Sequence, residues 1–313
     1  SLEPTLTESD SDAPSLEPTL TDTSGATDAS TISERKGSIR RALGSISSAA
    51  LSDSTSSEYE AFKWIVDEDE LFLSPDDDSL VQRYVLALIY FGMGGDNWNQ
   101  NKVGEKYLMG TSECDWYGVV CDGDFNVMSL KLDDINMDGS IPYEIGELNT
   151  LTELQLESNS IDGSIPSSIG NLSSLIKLSL DGNLLNSTLP EEIFDLRNLE
   201  LFDVDNNYLS GTISPRIGDL SSLQILSLFD CNFSGTIPSE LGKLSNVKEI
   251  SLDGNGFTGE VPQEICDLRD GILYFLAVDC SGDEDGSPPK VNCDKKSRGT
   301  INTEPLECCV CSL

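Results

Sequence analysis

Apolar residues recur with a fixed period of 24 residues through the middle of the chain. Residues 127–270 divide without insertion into six units, which begin at Val127, Leu151, Leu175, Leu199, Leu223 and Val247. The second unit reads LTELQLESNSIDGSIPSSIGNLSS. A fixed period with apolar residues at fixed places predicts a solenoid, because a single unit cannot bury its hydrophobic side and stacking must supply the core.

The first seven residues of each unit alternate as in a β-strand. Positions four and six are apolar and are predicted to point inward, whereas positions three, five and seven face solvent. Stacked strands then form a parallel sheet on the concave side. The inward pairs are Leu130 and Leu132, Leu154 and Leu156, Leu178 and Leu180, Phe202 and Val204, Leu226 and Leu228, and Ile250 and Leu252.

Position nine of the units carries a recurring asparagine, at Asn159, Asn183, Asn207 and Asn255. The amide at this position is predicted to satisfy buried backbone groups where the chain leaves the sheet. Ile135 and Cys231 replace asparagine in units one and five. A small, weakly polar side chain fits there, so we predict that Cys231 is a buried free thiol.

The segments before the repeats differ in composition. Residues 1–60 are rich in Ser, Thr, Asp, Pro and Glu and contain SLEPTLT twice, which predicts a disordered stalk. A basic stretch from Ile32 to Leu51 leaves a short membrane-surface helix as an alternative. Residues 61–126 are predicted as a helical N-terminal cap, with helices near residues 61–66 and 80–91 and a glycine-rich helix end at 92–95.

Cysteines concentrate at the two ends of the repeat region. Cys114 and Cys121 flank Trp116 and predict a disulfide loop that covers the first edge of the solenoid. Residues 271–313 begin with a truncated repeat at 273–280 and predict a Cys-rich C-terminal cap, for which a thiolate metal site is the alternative. Pairing within the cap stays open among Cys266, Cys280, Cys293, Cys308, Cys309 and Cys311. This end-clustering favours an oxidising compartment, and hence a secreted or cell-surface protein.

Charge and composition narrow the classes of function. A formal net charge of -36 disfavours nucleic acid and anionic membrane as partners. The absence of histidine excludes Ser-His-Asp triads and His-ligated metals, and we expect neither catalysis nor a cofactor. No apolar run reaches the roughly 18 residues of a membrane span, so membrane attachment is expected only through an anchor outside this sequence. Sequons at Asn171, Asn186 and Asn232 are candidate glycosylation sites.

Position seven of the units is acidic in five cases, at Asp133, Glu157, Asp181, Asp205 and Asp253. Strands about 4.8 Å apart would stack these carboxylates into an interrupted column. The column is a candidate surface for a basic partner, or for calcium that bridges it to an acidic glycan. The alternative is a hydrated acidic face in an acidic protein.

The column is interrupted by Phe229 in unit five. Position three of units four and five is Leu201 and Ile225, and these three side chains predict a contiguous exposed apolar patch beside Asp203 and Asp205. Exposed apolar clusters on a rigid surface are frequent interaction hot spots, so this patch is the first candidate for partner binding. Packing under the Asn232 loop is the alternative.

The repeats resemble the plant-type extracellular leucine-rich repeats of receptor-like proteins, receptor kinases and polygalacturonase-inhibiting proteins. The resemblance is carried by CDWYGVVC at 114–121 and by the repeated glycines followed by Ile-Pro or Val-Pro. The caps resemble leucine-rich-repeat proteins of diatoms, through residues 82–98 and CCVC at 308–311. The family implies an α/β repeat fold, a right-handed solenoid with a short flanking strand. Ser187 and the displaced Pro215 predict an interruption of that strand.

The resemblance implies a non-catalytic extracellular recognition module, receptor-like or adhesive, that binds a protein or peptide through its concave or lateral surface. A secreted inhibitor of a wall-degrading glycanase is one alternative. A component of the cell covering that binds acidic polysaccharide through calcium is another. Glycosidase chemistry at Asp203 and Asp205 is disfavoured, because strands of a solenoid offer no deep pocket.

Overall fold

A computed structural model describes residues 29–47, 50–268, 271–279 and 290–292 of the chain. Strands of the six units stack into one sheet of nine strands, in the order β1-β2-β4-β6-β7-β9-β11-β13-β14. Every pair from β2 to β13 is parallel. These strands span β1 Val119–Cys121, β2 Val127–Lys131, β4 Glu153–Gln155, β6 Lys177–Ser179, β7 Leu201–Asp203, β9 Ile225–Ser227, β11 Glu249–Ser251, β13 Phe275–Asp279 and β14 Lys290–Asn292.

The predicted inward positions form the core of the solenoid. All twelve side chains at positions four and six are at most 2% exposed. Equivalent residues lie in register from strand to strand, as in Leu154 with Leu178 and Phe202 with Leu226. Burial of each such side chain contributes about 1.5 to 3 kcal/mol, so the stack is stabilised by every unit.

The asparagines form the predicted ladder beneath the sheet edge. The amide of Asn183 donates to the carbonyls of Leu156 and Leu180 at 2.9 and 3.0 Å, and its oxygen accepts from the N–H of Ile161. Asn207 repeats this pattern one unit later. Cys231 is buried and free, as predicted, and its thiol donates to the Val204 carbonyl at 3.4 Å.

Short helices and lateral strands complete each unit. 3-10 helices cover Tyr143–Glu147, Ser167–Asn171, Glu191–Asp195, Pro215–Asp219 and Ser239–Lys243, and α4 takes this place at Gln263–Asp267. Lateral strands are β3 Asp138–Ser140, β5 Ser160–Asp162, β8 Ser210–Gly211, β10 Asn232–Gly235 and β12 Gly256–Phe257. They form two separate sheets, β3-β5 and β12-β10-β8. The break falls in unit three, where Ser187 has a φ of 77°, and it confirms the predicted interruption.

The N-terminal cap contains α2 Ser57–Lys63, a π-helical turn Trp64–Glu68 and α3 Leu80–Gly92. Its interior holds Arg83, which is 0% exposed and bonds bidentately to Asp69 at 2.6 and 2.8 Å and to Glu113 at 3.1 Å. The guanidinium carbon lies 5.2 Å from the centre of the Trp64 ring and 4.8 Å from that of the Trp116 ring. Burial of this cation is therefore offset by two carboxylates and two aromatic faces.

A helix precedes the cap where the sequence predicted a disordered stalk. Helix α1 spans Ala29–Ser47, and its Ile39 and Leu43 are 0% exposed in the core cluster that also holds the cap. Arg35 donates to the carbonyls of Ile65, Val66 and Leu73 at 3.1 to 3.3 Å. The stalk prediction is thus wrong for residues 29–47 and for residues 50–60, which hold a short 3-10 helix and the start of α2, whereas residues 1–28 lie outside the described residues. The apolar face of α1 is covered by the cap instead of a membrane.

The disulfide loop of the N-terminal cap is confirmed. Cys114 and Cys121 are bonded, and β1 pairs antiparallel with β2 at the first edge of the sheet. Cys266 is also disulfide-bonded. The truncated repeat supplies β13, which pairs with β11 as expected. The other five cysteines of the predicted C-terminal cap, Cys280, Cys293, Cys308, Cys309 and Cys311, lie outside the described residues.

Candidate ligand-binding surface

The concave face consists of three rows of side chains, at unit positions three, five and seven. Position three gives an aliphatic pair, because Leu201 of β7 lies directly opposite Ile225 of β9. Both side chains are half-buried. Glu249 of β11 follows Ile225 in this row, and Phe275 of β13 lies opposite Glu249. Phe275 was not among the predicted site residues, although counting a seventh unit from Leu273 would have placed it at position three.

Phe229 lies apart from this aliphatic pair. It follows β9 at position seven, four residues beyond Ile225, which is about 13 Å along an extended chain. Ser227 stands between them on the same face, and Phe229 is half-buried. The three residues therefore do not form the contiguous exposed patch that was predicted. They line the two sides of a shallow trough whose centre holds the small side chains Ser227 and Ser251.

The acidic column is present and partly withdrawn from water. Burial raises the pKa values of Asp133, Asp181 and Asp205. Asp203 stands at position five, one row from the column, and burial together with the charge of Asp205 raises its pKa to about 7. At neutral pH Asp203 is therefore close to half-ionised, and a nearby cation would stabilise its anionic form.

Hydrogen bonds fix the two central carboxylates. Asp205 accepts from the Ser227 hydroxyl at 2.6 Å and from the backbone N–H of Phe229. Asp203 accepts from the backbone N–H of Asp205 at 3.1 Å. Asp205 is thus oriented by the hydroxyl and backbone groups of the next unit, whereas Asp203 is oriented by the backbone of its own unit.

Basic side chains do not neutralise this region. Among the described residues, the ion pairs involve none of Asp133, Glu157, Asp181, Asp203 and Asp205. The concave lysine that forms a pair is Lys131, whose ammonium lies 2.5 Å from Glu153 at the opposite end of the face. Asp203 and Asp205 therefore lie beside apolar side chains without a salt-bridge partner among the described residues.

The carboxylates do not converge on a common point. Within the described part of the chain, no group of three or more Asp, Glu, Cys or His residues could hold a metal ion. Residues of a flat column present one carboxylate per strand, whereas calcium requires six to eight oxygens around one centre. The hypothesis that calcium bridges this face to an acidic polysaccharide therefore has no preformed calcium site among the described residues.

Comparison with known proteins agrees with this architecture. Residues 125–267 match the family model for a leucine-rich repeat region. The chain has the leucine-rich-repeat fold. The Arabidopsis receptor kinase HAESA, solved with the peptide hormone IDA and the co-receptor SERK1, matches with a TM-score of 0.56 and 29% identity over 64% of this chain and 33% of that one. No curated protein matches the sequence.

Two further solved structures share the leucine-rich-repeat fold. The Arabidopsis thaliana receptor kinase ectodomain GASSHO1/SCHENGEN3, in complex with CASPARIAN STRIP INTEGRITY FACTOR 2, matches with a TM-score of 0.50 and 34% identity over 54% of this chain and 20% of that one. A plant ice-binding protein matches with a TM-score of 0.54 and 27% identity over 58% of each chain. The chain thus spans between a fifth and three fifths of these proteins. Among the described helices, none is long and apolar enough to cross a membrane.

Proposed function

We propose that this protein is a non-catalytic extracellular recognition module, and that the trough on units four to six binds an extended peptide segment of a protein partner. One observation carries the proposal: the in-register aliphatic pair Leu201 and Ile225 lies beside Asp203 and Asp205, which are half-buried and have no cationic partner in the described structure. A segment with apolar side chains and a lysine or arginine would complement both features.

The comparisons support a peptide or protein as the ligand. HAESA is solved with the peptide hormone IDA and the co-receptor SERK1, and GASSHO1/SCHENGEN3 is solved with CASPARIAN STRIP INTEGRITY FACTOR 2. The trough has Leu201 and Ile225 on one side and Asp205 and Phe229 on the other, and an extended peptide that crosses the strands would place alternate side chains on the two sides. The secreted or cell-surface location follows from the same proposal and is supported by the Cys114–Cys121 disulfide.

A peptide array tests this proposal. The full chain, made in a secretory host, would be applied to peptides in which the number of basic and apolar residues is varied independently. We expect retention of peptides that hold both, with affinity that falls as salt rises. Ile225→Ser and Asp205→Asn should each weaken binding by about tenfold or more, which is about 1.4 kcal/mol. Glu260→Gln, at an exposed position of the lateral flank, is the matched control.

The alternatives predict different ligands. Capture and inhibition of a wall-degrading glycanase would assign the concave face to an inhibitor. Retention of an acidic polysaccharide that is abolished by a calcium chelator would assign the protein to the cell covering. Peptide binding that is unchanged by both concave variants would contradict the proposed trough.

A separate observation favours ice binding as a second candidate function. Thr188, Thr212 and Thr236 are exposed at the same position of consecutive units. Each γ-methyl carbon lies 2.7 to 3.3 Å from the position that a Cβ would take on the glycine of the next unit. The row therefore holds its hydroxyl and methyl groups at the regular repeat spacing, and a plant ice-binding protein shares the fold.

Thermal hysteresis of the full chain measures this second function directly. A gap between melting and freezing points that disappears in Thr212→Lys would support it, because a long charged side chain breaks the regular row. The Ile225→Ser variant serves as the control, since it lies on the concave face. Freezing at the melting point in concentrated solution of the unmodified chain would contradict it.

A further inference from the structure

A groove of about 230 Å³ opens where the asparagine ladder is broken. It lies at the edge of the concave sheet, where the chain turns toward the lateral strands, and it is separate from the trough. Side chains of unit positions eight, nine and ten line it. They are Asn183, Asn206, Asn207, Tyr208, Asp230, Cys231 and Asn232.

The floor of the groove is rigid and chemically saturated. The amides of Asn183 and Asn207 donate to backbone carbonyls of their own and the preceding units at 2.9 to 3.0 Å. The thiol of Cys231 occupies the next place in the ladder and is 7% exposed. Cysteine is smaller than asparagine, so Cys231 leaves space above the floor of the groove. The polar groups that can still bind a ligand are those of the rim.

The rim combines one aromatic ring with polar side chains. Tyr208 is 58% exposed and so offers a ring face to a ligand. Asn206 and Asp230 are also exposed, and both have left-handed backbone conformations, with φ of 52° and 49°. An aromatic face beside amide and carboxylate groups suits a ligand that has one apolar face and several hydroxyl or amide groups, which describes a pyranose ring.

The chain carries an attachment point for such a ring at the same place. Asn232 begins the sequon Asn-Phe-Ser and stands at position ten, as Tyr208 does one unit earlier. The backbone N–H of Tyr208 donates to the Leu185 carbonyl and that of Asn232 donates to the Leu209 carbonyl, both at 2.7 Å. Asn232 is paired with Ser210, two residues beyond Tyr208, and both Tyr208 and Asn232 line the groove.

We propose that this groove binds the first N-acetylglucosamine of a glycan linked to Asn232, with the sugar ring stacked on Tyr208. The amide of Asn206 and the carboxylate of Asp230 then form hydrogen bonds with the polar groups of the sugar. The proposal depends on the secretory route that the proposed function requires, but not on the trough or its ligand. It distinguishes Asn232 from Asn171 and Asn186, which are exposed on other parts of the units and do not line this groove.

The glycan would cover Cys231 in the groove, so the rate at which the thiol is alkylated tests the proposal. The full chain would be produced in a secretory host, and glycopeptide mass spectrometry would measure occupancy of each sequon. Alkylation of Cys231 in the native protein would then be timed for the glycosylated chain and for Asn232→Gln. We expect occupancy of Asn232 and alkylation that is slower by about tenfold or more in the glycosylated chain.

Two tyrosine variants separate stacking from mere attachment. In the glycosylated chain, Tyr208→Ala should restore the alkylation rate of Asn232→Gln, whereas Tyr143→Ala, which removes a ring that is 62% exposed elsewhere, should not. Equal unfolding midpoints would show that the variants fold alike. An unmodified Asn232, or a glycosylated chain in which Tyr208→Ala leaves the alkylation rate unchanged, would overturn the proposal. Peptide retention on the trough is unaffected by either result, so the two proposals fail separately.

Discussion

Replacement of Asp203 by asparagine tests the electrostatic account of the concave face. Burial and the charge of Asp205 raise the pKa of Asp203 from 3.8 to about 7. Between these pH values the folded protein keeps a proton that the unfolded chain has released. The free energy of unfolding therefore falls as pH rises from about 4 to about 7, because the folded state binds more protons than the unfolded state.

The size of this effect follows from the pKa difference. A rise of about 3 units corresponds to about 4 kcal/mol at 1.36 kcal/mol per unit. Since the Asp203 side chain keeps some contact with solvent, we expect about 2 to 4 kcal/mol after screening. Asparagine keeps an oxygen that can accept from the N–H of Asp205 but carries no ionisable group. Asp203→Asn should therefore match the unmodified chain near pH 4 and exceed its stability by about 2 to 4 kcal/mol at pH 8.

Urea unfolding of the full chain, followed by far-ultraviolet circular dichroism across pH 4 to 8, measures this difference. Asp162→Asn is the matched control, because Asp162 is exposed on the lateral flank and its side chain accepts a hydrogen bond from Ser140 at 2.8 Å. The control should shift stability equally at both ends of the pH range. A difference between Asp203→Asn and the unmodified chain that does not change with pH would refute the reasoning, and so would a less stable variant at pH 8.

Three further substitutions test the packing of the solenoid and its cap. Gly235→Ala should lower the free energy of unfolding by about 1 to 3 kcal/mol in urea titrations, because its φ is 80° and a Cβ would meet the threonine of the preceding unit at 2.9 Å. Gly123→Ala should change this free energy little, since the space around Gly123 is open. Arg83→Met should lower the free energy of unfolding by about 3 to 5 kcal/mol in the same measurement, since it leaves two buried carboxylates without their cation. Arg216→Met breaks only exposed ion pairs and should lower it by less than about 1 kcal/mol. Cys231→Asn should raise the unfolding midpoint by restoring the amide of the ladder, an effect of about 1 kcal/mol, and an unchanged or lower midpoint would show that the thiol packs better than the amide.

The repeat region was predictable because its information is periodic. Six copies of the same pattern fix the inward positions, the ladder and the register, and each copy corrects ambiguity in the others. Cys231 and the break at Ser187 were predictable for the same reason, as departures from a known pattern. The residues of the concave rows were also predicted from the repeat. Their degree of burial was not, because the half-burial of Asp203 depends on side chains from neighbouring strands.

Non-repeating segments were harder to predict from sequence. Helix α1 was assigned to a stalk because residues 1–60 are polar on average, and an average conceals the spacing of Ile39 and Leu43 on one helical face. The helix is stabilised by groups far away in sequence, including the carbonyls that accept from Arg35. Separation of Phe229 from Ile225 was overlooked because shared solvent exposure was equated with contact, although four residues of strand lie between them.

Apart from Ile135 in unit one, the departures from the repeat pattern named above lie in units three to five, and this distribution is itself an argument for function. The lateral sheet is interrupted at Ser187, the asparagine ladder at Cys231 and the acidic column at Phe229. The aliphatic pair at position three falls in the same stretch. A solenoid gains stability from regular stacking, so a sequence under selection for stability alone has no physical reason to break three different rows within three consecutive units. Local violations of folding rules are expected where a surface serves a ligand. The trough includes Phe229, and the groove includes Cys231. Both surfaces therefore lie where the repeat has been altered.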